Sequence, residues 1–184
     1  KDYEKSAFGY GWSFTGDEKI FINTGSQGNQ LQYKDADGTI HVFTYDTLTN
    51  QYKGEYGNYD KIKKNTEDTF TLYDLYGNQT IFKVRESTND TDAKVAYITT
   101  QIDRNNNKIN YSYDTSNKLT EIATDLGKEV LNKKLQFGYD KDGLISTMTY
   151  GDQQITYRYT TDGYLQYVDV LKDRKDNKVT ITTT

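Results

Sequence analysis

The 184-residue chain has no cysteine and no proline, and only one histidine, one tryptophan and one methionine. Without cysteine there is no disulfide frame, no thiolate nucleophile and no cysteine-ligated zinc. Without proline every residue keeps an amide donor, as a set of paired strands requires. No apolar run is long enough to span a bilayer as a helix, and any export signal is expected to lie outside this stretch. Lysine and arginine number 23 against 27 aspartates and glutamates, a net charge of -4, so the clustered cations that bind nucleic acid phosphates are missing. The one basic run, Lys61-Ile62-Lys63-Lys64, is short and reads as a solvated turn or edge-strand guard.

Helix signals are also scarce, since almost no window places apolar residues three and four apart. Residues 126–134 are the only candidate helical turn. The hydrophobic fraction is a modest 34%, and 18 tyrosines and 7 phenylalanines make up the shortfall. Tyrosine buries a large ring while its hydroxyl seeks a partner, which suits the half-buried face of a sheet.

Three stretches repeat one pattern. In "INYSYDTSNKLTEI", "LQFGYDKDGLISTM" and "ITYRYTTDGYLQYV" an aromatic pair two residues apart precedes a polar turn. Alternation puts Tyr111 and Tyr113 on one face of a strand, and likewise Phe137 and Tyr139, and Tyr157 and Tyr159. Asp140 with Gly143 has the chemistry of a type I turn closed by a left-handed residue. Asp74 with Gly77 repeats it, Gly163 sits at the same place in the third copy, and Asp114 with Asn117 and Asp103 with Asn106 use asparagine there. Gly151-Asp152 reads as a two-residue hairpin turn. After each turn the apolar residues fall three apart, as at Leu119 and Ile122 or Leu165 and Val168, which a β-bulge would reconcile with a single buried face. Tyr113 and Tyr139 are 26 positions apart and Tyr139 and Tyr159 are 20 apart.

The first half carries a different echo. "DADGTIHVF" (35–43) and "DLYGNQTIF" (74–82) both place glycine three residues after aspartate and phenylalanine five beyond the glycine. The polar stretch 85–93 reads as the most mobile loop, and it divides a pre-repeat hairpin segment, 1–93, from repeat hairpins, 94–184, that continue the same sheet. The predicted fold is all-β: an elongated, curved antiparallel sheet of consecutive hairpins. Tyr111, Phe137 and Tyr157 are expected to line up across it, as are Tyr113, Tyr139 and Tyr159, with ring stacked on ring between neighbouring strands.

Candidate chemistry is thin. His41 lies in an alternating strand and reads as a partly buried structural histidine without an identifiable nucleophile beside it. "DKDG" at 140–143 and "DADG" at 35–38 resemble the start of a calcium loop, but Gly151 stands where the former needs its last acidic ligand, so both read as turns. No catalytic, cofactor or metal residue is assigned. In "FGYGWSF" (8–14) two glycines flank Tyr10 just before Trp12. They read as a backbone crossing too tight for a Cβ with the tryptophan as a plug, the alternative being a glycan-stacking platform of Trp12 and Tyr10.

The ordered set of repeats resembles the YD repeats of the Rhs family: bacterial Rhs and wall-associated toxins, the toxin-complex C component, and the teneurin YD shell. The Tyr-Asp pair stands at Tyr113-Asp114 and Tyr139-Asp140, while the third copy departs with Tyr159-Thr160. The resemblance implies a non-enzymatic section of a hollow shell belonging to a large secreted or cell-wall-associated protein of toxin-delivery type. Its partners would be the rest of the shell and an enclosed C-terminal polypeptide. The self-cleaving aspartate motif that ends an Rhs core is not seen. Opening on Lys1 and stopping in "KVTITTT", the chain is expected to be a segment of something longer whose final strand wants another beside it, with edge-to-edge self-association as the alternative. Richness in Lys, Asn, Ile and Tyr without Cys fits a secreted protein of a Gram-positive bacterium. A surface module binding carbohydrate or cell-wall polymer is the second functional expectation.

Overall fold

Six turns along the chain share one hydrogen-bonding scheme, and they set the architecture. In the computed structural model, which describes residues 5–22, 28–85, 94–125, 133–172 and 177–182, the turns begin at Asp35, Asp74, Asp103, Asp114, Asp140 and Thr160. In each, the amide three residues on donates to the carbonyl of the first residue. The fourth residue is left-handed: Gly38 (φ 90°), Gly77 (84°), Asn106 (65°), Asn117 (61°), Gly143 (80°) and Gly163 (87°). In the five aspartate turns the carboxylate Oδ1 accepts two amides, those of Asp142 and Leu144 at 2.9 Å each in the case of Asp140. That accounts for the acidic residues resembling a calcium loop: at Asp35 and Asp140 the carboxylate oxygen organises backbone amides. Thr160 offers only a hydroxyl, which accepts the Tyr164 amide at 3.1 Å.

Every described strand pairing is antiparallel, and the fold is all-β as expected. A short hairpin, β1 (Lys5–Ser6) and β2 (Gly9–Tyr10), opens the chain. Eight strands follow as a meander: β3 (Lys19–Ile22), β4 (Gln30–Lys34), β5 (Ile40–Asp46), β6 (Gln51–Gly54), β7 (Lys61–Thr66), β8 (Thr69–Tyr73), β9 (Gln79–Arg85) and β10 (Val95–Ile102). The remaining seven are β11 (Lys108–Tyr113), β12 (Leu119–Asp125), β13 (Lys134–Tyr139), β14 (Ile145–Tyr150), β15 (Gln153–Tyr159), β16 (Leu165–Lys172) and β17 (Asn177–Thr182).

Strand β10 is a fork. One of its edges pairs with β9 along its length, from Val95↔Arg85 to Ile102↔Gln79, with an irregularity between Ile98 and Thr100. The other edge is shared: Val95, Ala96 and Tyr97 pair with Phe21, Ile20 and Lys19 of β3, while Thr100, Gln101 and Ile102 pair with Asn110, Ile109 and Lys108 of β11. Strands β3 to β10 therefore close into an eight-stranded ring, and β11 to β17 leave it as an open sheet. An eight-stranded barrel is just wide enough for side chains to fill. Here Ile20, Leu31, Phe43, Ile62, Phe70, Phe82 and Ile98 do so, almost fully shielded from solvent. Phe43 and Phe82, the paired phenylalanines of the first-half echo, both belong to this core.

Closure corrects the expectation of one elongated open strip throughout. The ring is set by the split edge of β10, a long-range pairing that alternation along one strand does not encode. The lysine-rich run is also reassigned: β7 lies inside the ring between β6 and β8, with Ile62 buried and its lysines exposed, and is neither a turn nor an edge. The two-residue turn at Gly151-Asp152 is present, with Tyr150 paired to Gln153. The candidate helical turn at 126–134 and the loop at 85–93 lie almost wholly outside the described residues.

Candidate functional site: the covered tyrosine face

In the open sheet the repeated unit is a hairpin with a bulge. Ser112 pairs with Glu121 but Tyr113 with Leu119; Gly138 with Thr147 but Tyr139 with Ile145; Arg158 with Tyr167 but Tyr159 with Leu165. Thr120, Ser146 and Gln166 are thus the extra residues at the three bulges, and the slip brings residues three apart onto one side. Leu119 with Ile122, Ile145 with Met148, and Leu165 with Val168 then share a face with the tyrosine pairs. This is the reconciliation that the spacing called for.

Tyr111, Tyr113, Phe137, Tyr139, Tyr157 and Tyr159 all belong to that face, but the rows differ from expectation. Tyr111 lies across Ile122 from Leu135, and Phe137 lies across Met148 from Ile155. Successive aromatic pairs are therefore displaced two residues along the strands rather than level with one another. A shift of two keeps every side chain on its face, whereas a shift of one would turn all of them over. Ring stacking between neighbouring repeat strands is replaced by ring against aliphatic chain, since Ile122 and Met148 intervene.

The displacement gives the hydroxyls their partners. Tyr139 donates to the Leu119 carbonyl at 2.7 Å, and Tyr159 donates to the Ile145 carbonyl at 2.7 Å. Leu119 and Ile145 are the residues opposite Tyr113 and Tyr139, so each hairpin's tyrosine fastens the bulge of the hairpin before it. Burial, followed by the nearby charges of Asp114 and Asp17, pushes the Tyr139 phenol up to about 12. Tyr113 makes no such bond, and among the described residues its buried hydroxyl has no hydrogen-bond partner. Its ring is held between Tyr97 (centroids 5.5 Å apart) and the Arg85 guanidinium (5.3 Å). Arg85 also donates to the Asn117 side chain at 2.7 Å and the Asp114 carbonyl at 2.8 Å, clamping the first repeat turn to the ring.

The face is covered by the N-terminal segment. Tyr10 donates its amide to the Gly163 carbonyl at 3.2 Å, and the Ile145 amide donates to the Ala7 carbonyl at 2.7 Å. At Gly9 (φ 87°) a Cβ would stand 2.3 Å from the Gly163 carbonyl oxygen, so the predicted tight crossing is real. Phe8 packs edge-on against Tyr157 (5.0 Å) and Phe14 (5.1 Å), and Phe14 reaches Phe137 (6.3 Å). These two phenylalanines are the plug. Trp12 is not, being 48% exposed, and this corrects the sequence expectation. Tyr10 lies against Tyr164 at 5.3 Å. The strap was legible as "FGYGWSF", but its inward residues are the phenylalanines at its two ends rather than the tryptophan.

Past the strap the chain enters the ring through Asp17 and Glu18, two buried acids that sequence reading did not single out. Asp17 is bonded to Lys19 (2.7 Å) and Lys34 (2.9 Å). Glu18 accepts from the Tyr33 hydroxyl at 2.5 Å and from Gln101 at 3.1 Å, and Gln101 in turn accepts from the Tyr111 hydroxyl at 2.7 Å. Ring and open sheet are tied together by this chain of bonds. Burial raises the Glu18 carboxyl, against the opposing hydrogen bond from Tyr33. His41 is bonded to Asp35 at 2.7 Å and stacked on Tyr33, a structural placement.

No protein-family model matches the chain, and no curated protein does. Among solved structures the chain is similar to part of the crystal structure of TcdB2-TccC3-Cdc42, at 15% identity and a TM-score of 0.37. The match covers 78% of this chain and 10% of the other, so this chain spans about a tenth of that one's length. Likeness at that level is distant.

Proposed function

We propose that the chain is a non-enzymatic section of the wall of a larger YD-repeat shell, in a secreted or cell-surface bacterial protein of toxin-delivery type. The observation that carries it is the recurrent unit: a bulged hairpin with its aromatic pair on one covered face, the Tyr139 and Tyr159 hydroxyls each bonded to the previous bulge, extended outward from a closed ring. Such a lattice grows by adding hairpins to an edge. Strand β17, paired in the described residues only with β16, is where the next would join. The partners are then the following hairpins of the same protein and whatever polypeptide they enclose. Cryo-electron microscopy of the product of the complete reading frame tests this. The expected result is a continuation of bulged hairpins from the outer edge of β17 into an enclosing wall; a product in which that edge faces solvent or an unrelated domain would overturn it.

A second reading, carbohydrate binding, has one observation in its favour: exposed Trp12 stands two residues from the Tyr10–Tyr164 pair. A glycan array read with the wild type and with Trp12→Ala separates the two, since a wall section gives no signal in either.

A further inference from the structure

Alternate connections of a meander fall at one end of its ring, so the turn at Asp35, the β6–β7 loop (55–60) and the turn at Asp74 share an end. A cleft of about 650 Å³ opens among them, lined by the apolar side chains of Tyr56, Tyr59 and Leu75 and by the acids Asp35, Glu55 and Asp60. The two tyrosines and the leucine are exposed. The loop does not need their rings for its shape: the Asn58 amide donates to the Glu55 carbonyl at 2.8 Å, Gly57 (φ 90°) takes the left-handed position, and the Asn58 side chain accepts the Asp60 amide at 3.0 Å. A turn held by its own bonds thus displays two tyrosines to solvent. The charge around them is of one sign. Among the described residues no lysine or arginine lines the cleft, and its histidine, His41, is already bonded to Asp35 at 2.7 Å. Asp60 is half-buried and has no ion-pair partner among the described residues. Burial raises its carboxyl, with the charge of Asp74 adding and His41 opposing. A carboxylate in that position gains from a cation, and exposed aromatic faces beside it attract the same charge.

We propose that this end of the ring binds an arginine-bearing segment of another polypeptide, with the guanidinium paired by Asp60 and its stem lying against Tyr56 and Tyr59. Charge complementarity selects a cation over a neutral or acidic partner. A guanidinium suits the site better than an ammonium, because its planar fork meets a carboxylate with two donors and stacks on a tyrosine ring. Its aliphatic stem covers apolar surface of the kind Leu75 leaves exposed. Glu55, at the start of the same loop, offers a second carboxylate to a neighbouring cation on the segment. The site is independent of the wall reading: it lies on the closed ring, and it would stand whether or not the parent protein forms a shell.

The test is titration of the isotopically labelled 184-residue chain with a capped Gly-Arg-Gly-Arg-Gly peptide and, separately, with its citrulline counterpart, at constant ionic strength, followed by nuclear magnetic resonance. Citrulline keeps the shape of arginine without the charge. Saturable shifts centred on Glu55 to Asp60 and on Leu75 are expected with the arginine peptide alone. Asp60→Asn and Tyr59→Ala should each weaken binding about fivefold or more, while Asp152→Asn, in the β14–β15 turn, leaves it unchanged. The Asp60 backbone amide, bonded to Asn58 at 3.0 Å, is retained in Asp60→Asn, so that variant keeps the test decisive should Tyr59→Ala disturb the loop. Non-saturating shifts, equal binding of the citrulline peptide, or equal weakening by Asp152→Asn would overturn the proposal. So would saturable shifts at these residues with an oligomer of N-acetylglucosamine and none with the arginine peptide, which would make the cleft a sugar site.

Discussion

The Tyr139 hydroxyl donates to the Leu119 carbonyl at 2.7 Å, and Leu119 is the residue paired with Tyr113 one hairpin earlier. This single bond expresses the repeat: it joins the aromatic pair of one unit to the bulge of its predecessor. Removing it by Tyr139→Phe should cost about 0.5–1.5 kcal/mol, as should Tyr159→Phe. Tyr113→Phe, which deletes a hydroxyl with no partner among the described residues, should be neutral or slightly stabilising. Urea unfolding of the three variants checks the contrast.

The strap makes a second contrast. Gly9→Ala meets both an unfavourable positive φ and the Gly163 carbonyl oxygen at 2.3 Å, whereas at Gly11 (φ 79°) an added Cβ would have no neighbour within 4 Å. Gly11→Ala should cost roughly 1–2 kcal/mol from backbone strain alone, and Gly9→Ala clearly more. Phe8→Ala should cost about 2 kcal/mol from lost burial, and Trp12→Ala less than about 0.5 kcal/mol. Thermal and urea midpoints of the four variants read this out.

Glu18 sets a pH dependence of known sign. Its carboxyl is raised in the folded chain, first by burial, so the folded state holds the proton more tightly than the unfolded one. The stabilising contribution is therefore complete below the unfolded value and lost as pH rises through the folded one. Asp103, lowered by its hydrogen bond from the Asn107 side chain, has the opposite slope. Subtracting the stability curve of Glu18→Gln from that of the wild type should leave a difference that falls with rising pH in the carboxylate range.

Thr160 is the one first-position residue of the six turns that lacks a carboxylate. Thr160→Asp should supply the second amide acceptor that the other turns have, stabilising the chain by about 0.5–1 kcal/mol, and Asp140→Ala should cost a similar amount. Unfolding midpoints compare the two.

Local features of this fold were legible in the sequence because they are written within a few residues: the turn from Asp140 to Gly143, the bulge from the spacing of Leu119 and Ile122, the crossing from Gly9. What escaped depends on partners far apart in the chain. Closure of the ring is decided by which strand takes each half of β10, and the two-residue displacement of Tyr111 against Phe137 by the pairings of Ile122. Phe8 and Trp12 are similar in hydrophobicity, and only the path of the strap turns one inward and the other outward. Tyr113 looked like its two successors, and its difference lies in what precedes it in space.

The central claim is that recurrence in sequence becomes one staggered face lying beneath the N-terminal strap. Nuclear Overhauser contacts in the folded chain test it most directly. Cross-peaks between the Phe8 and Tyr157 rings and between the Tyr139 ring and Leu119 are predicted, with none between the Trp12 ring and the sheet core. A well-dispersed β-sheet spectrum in which Phe8 shows no contact with Tyr157, or in which Trp12 takes its place, would contradict it.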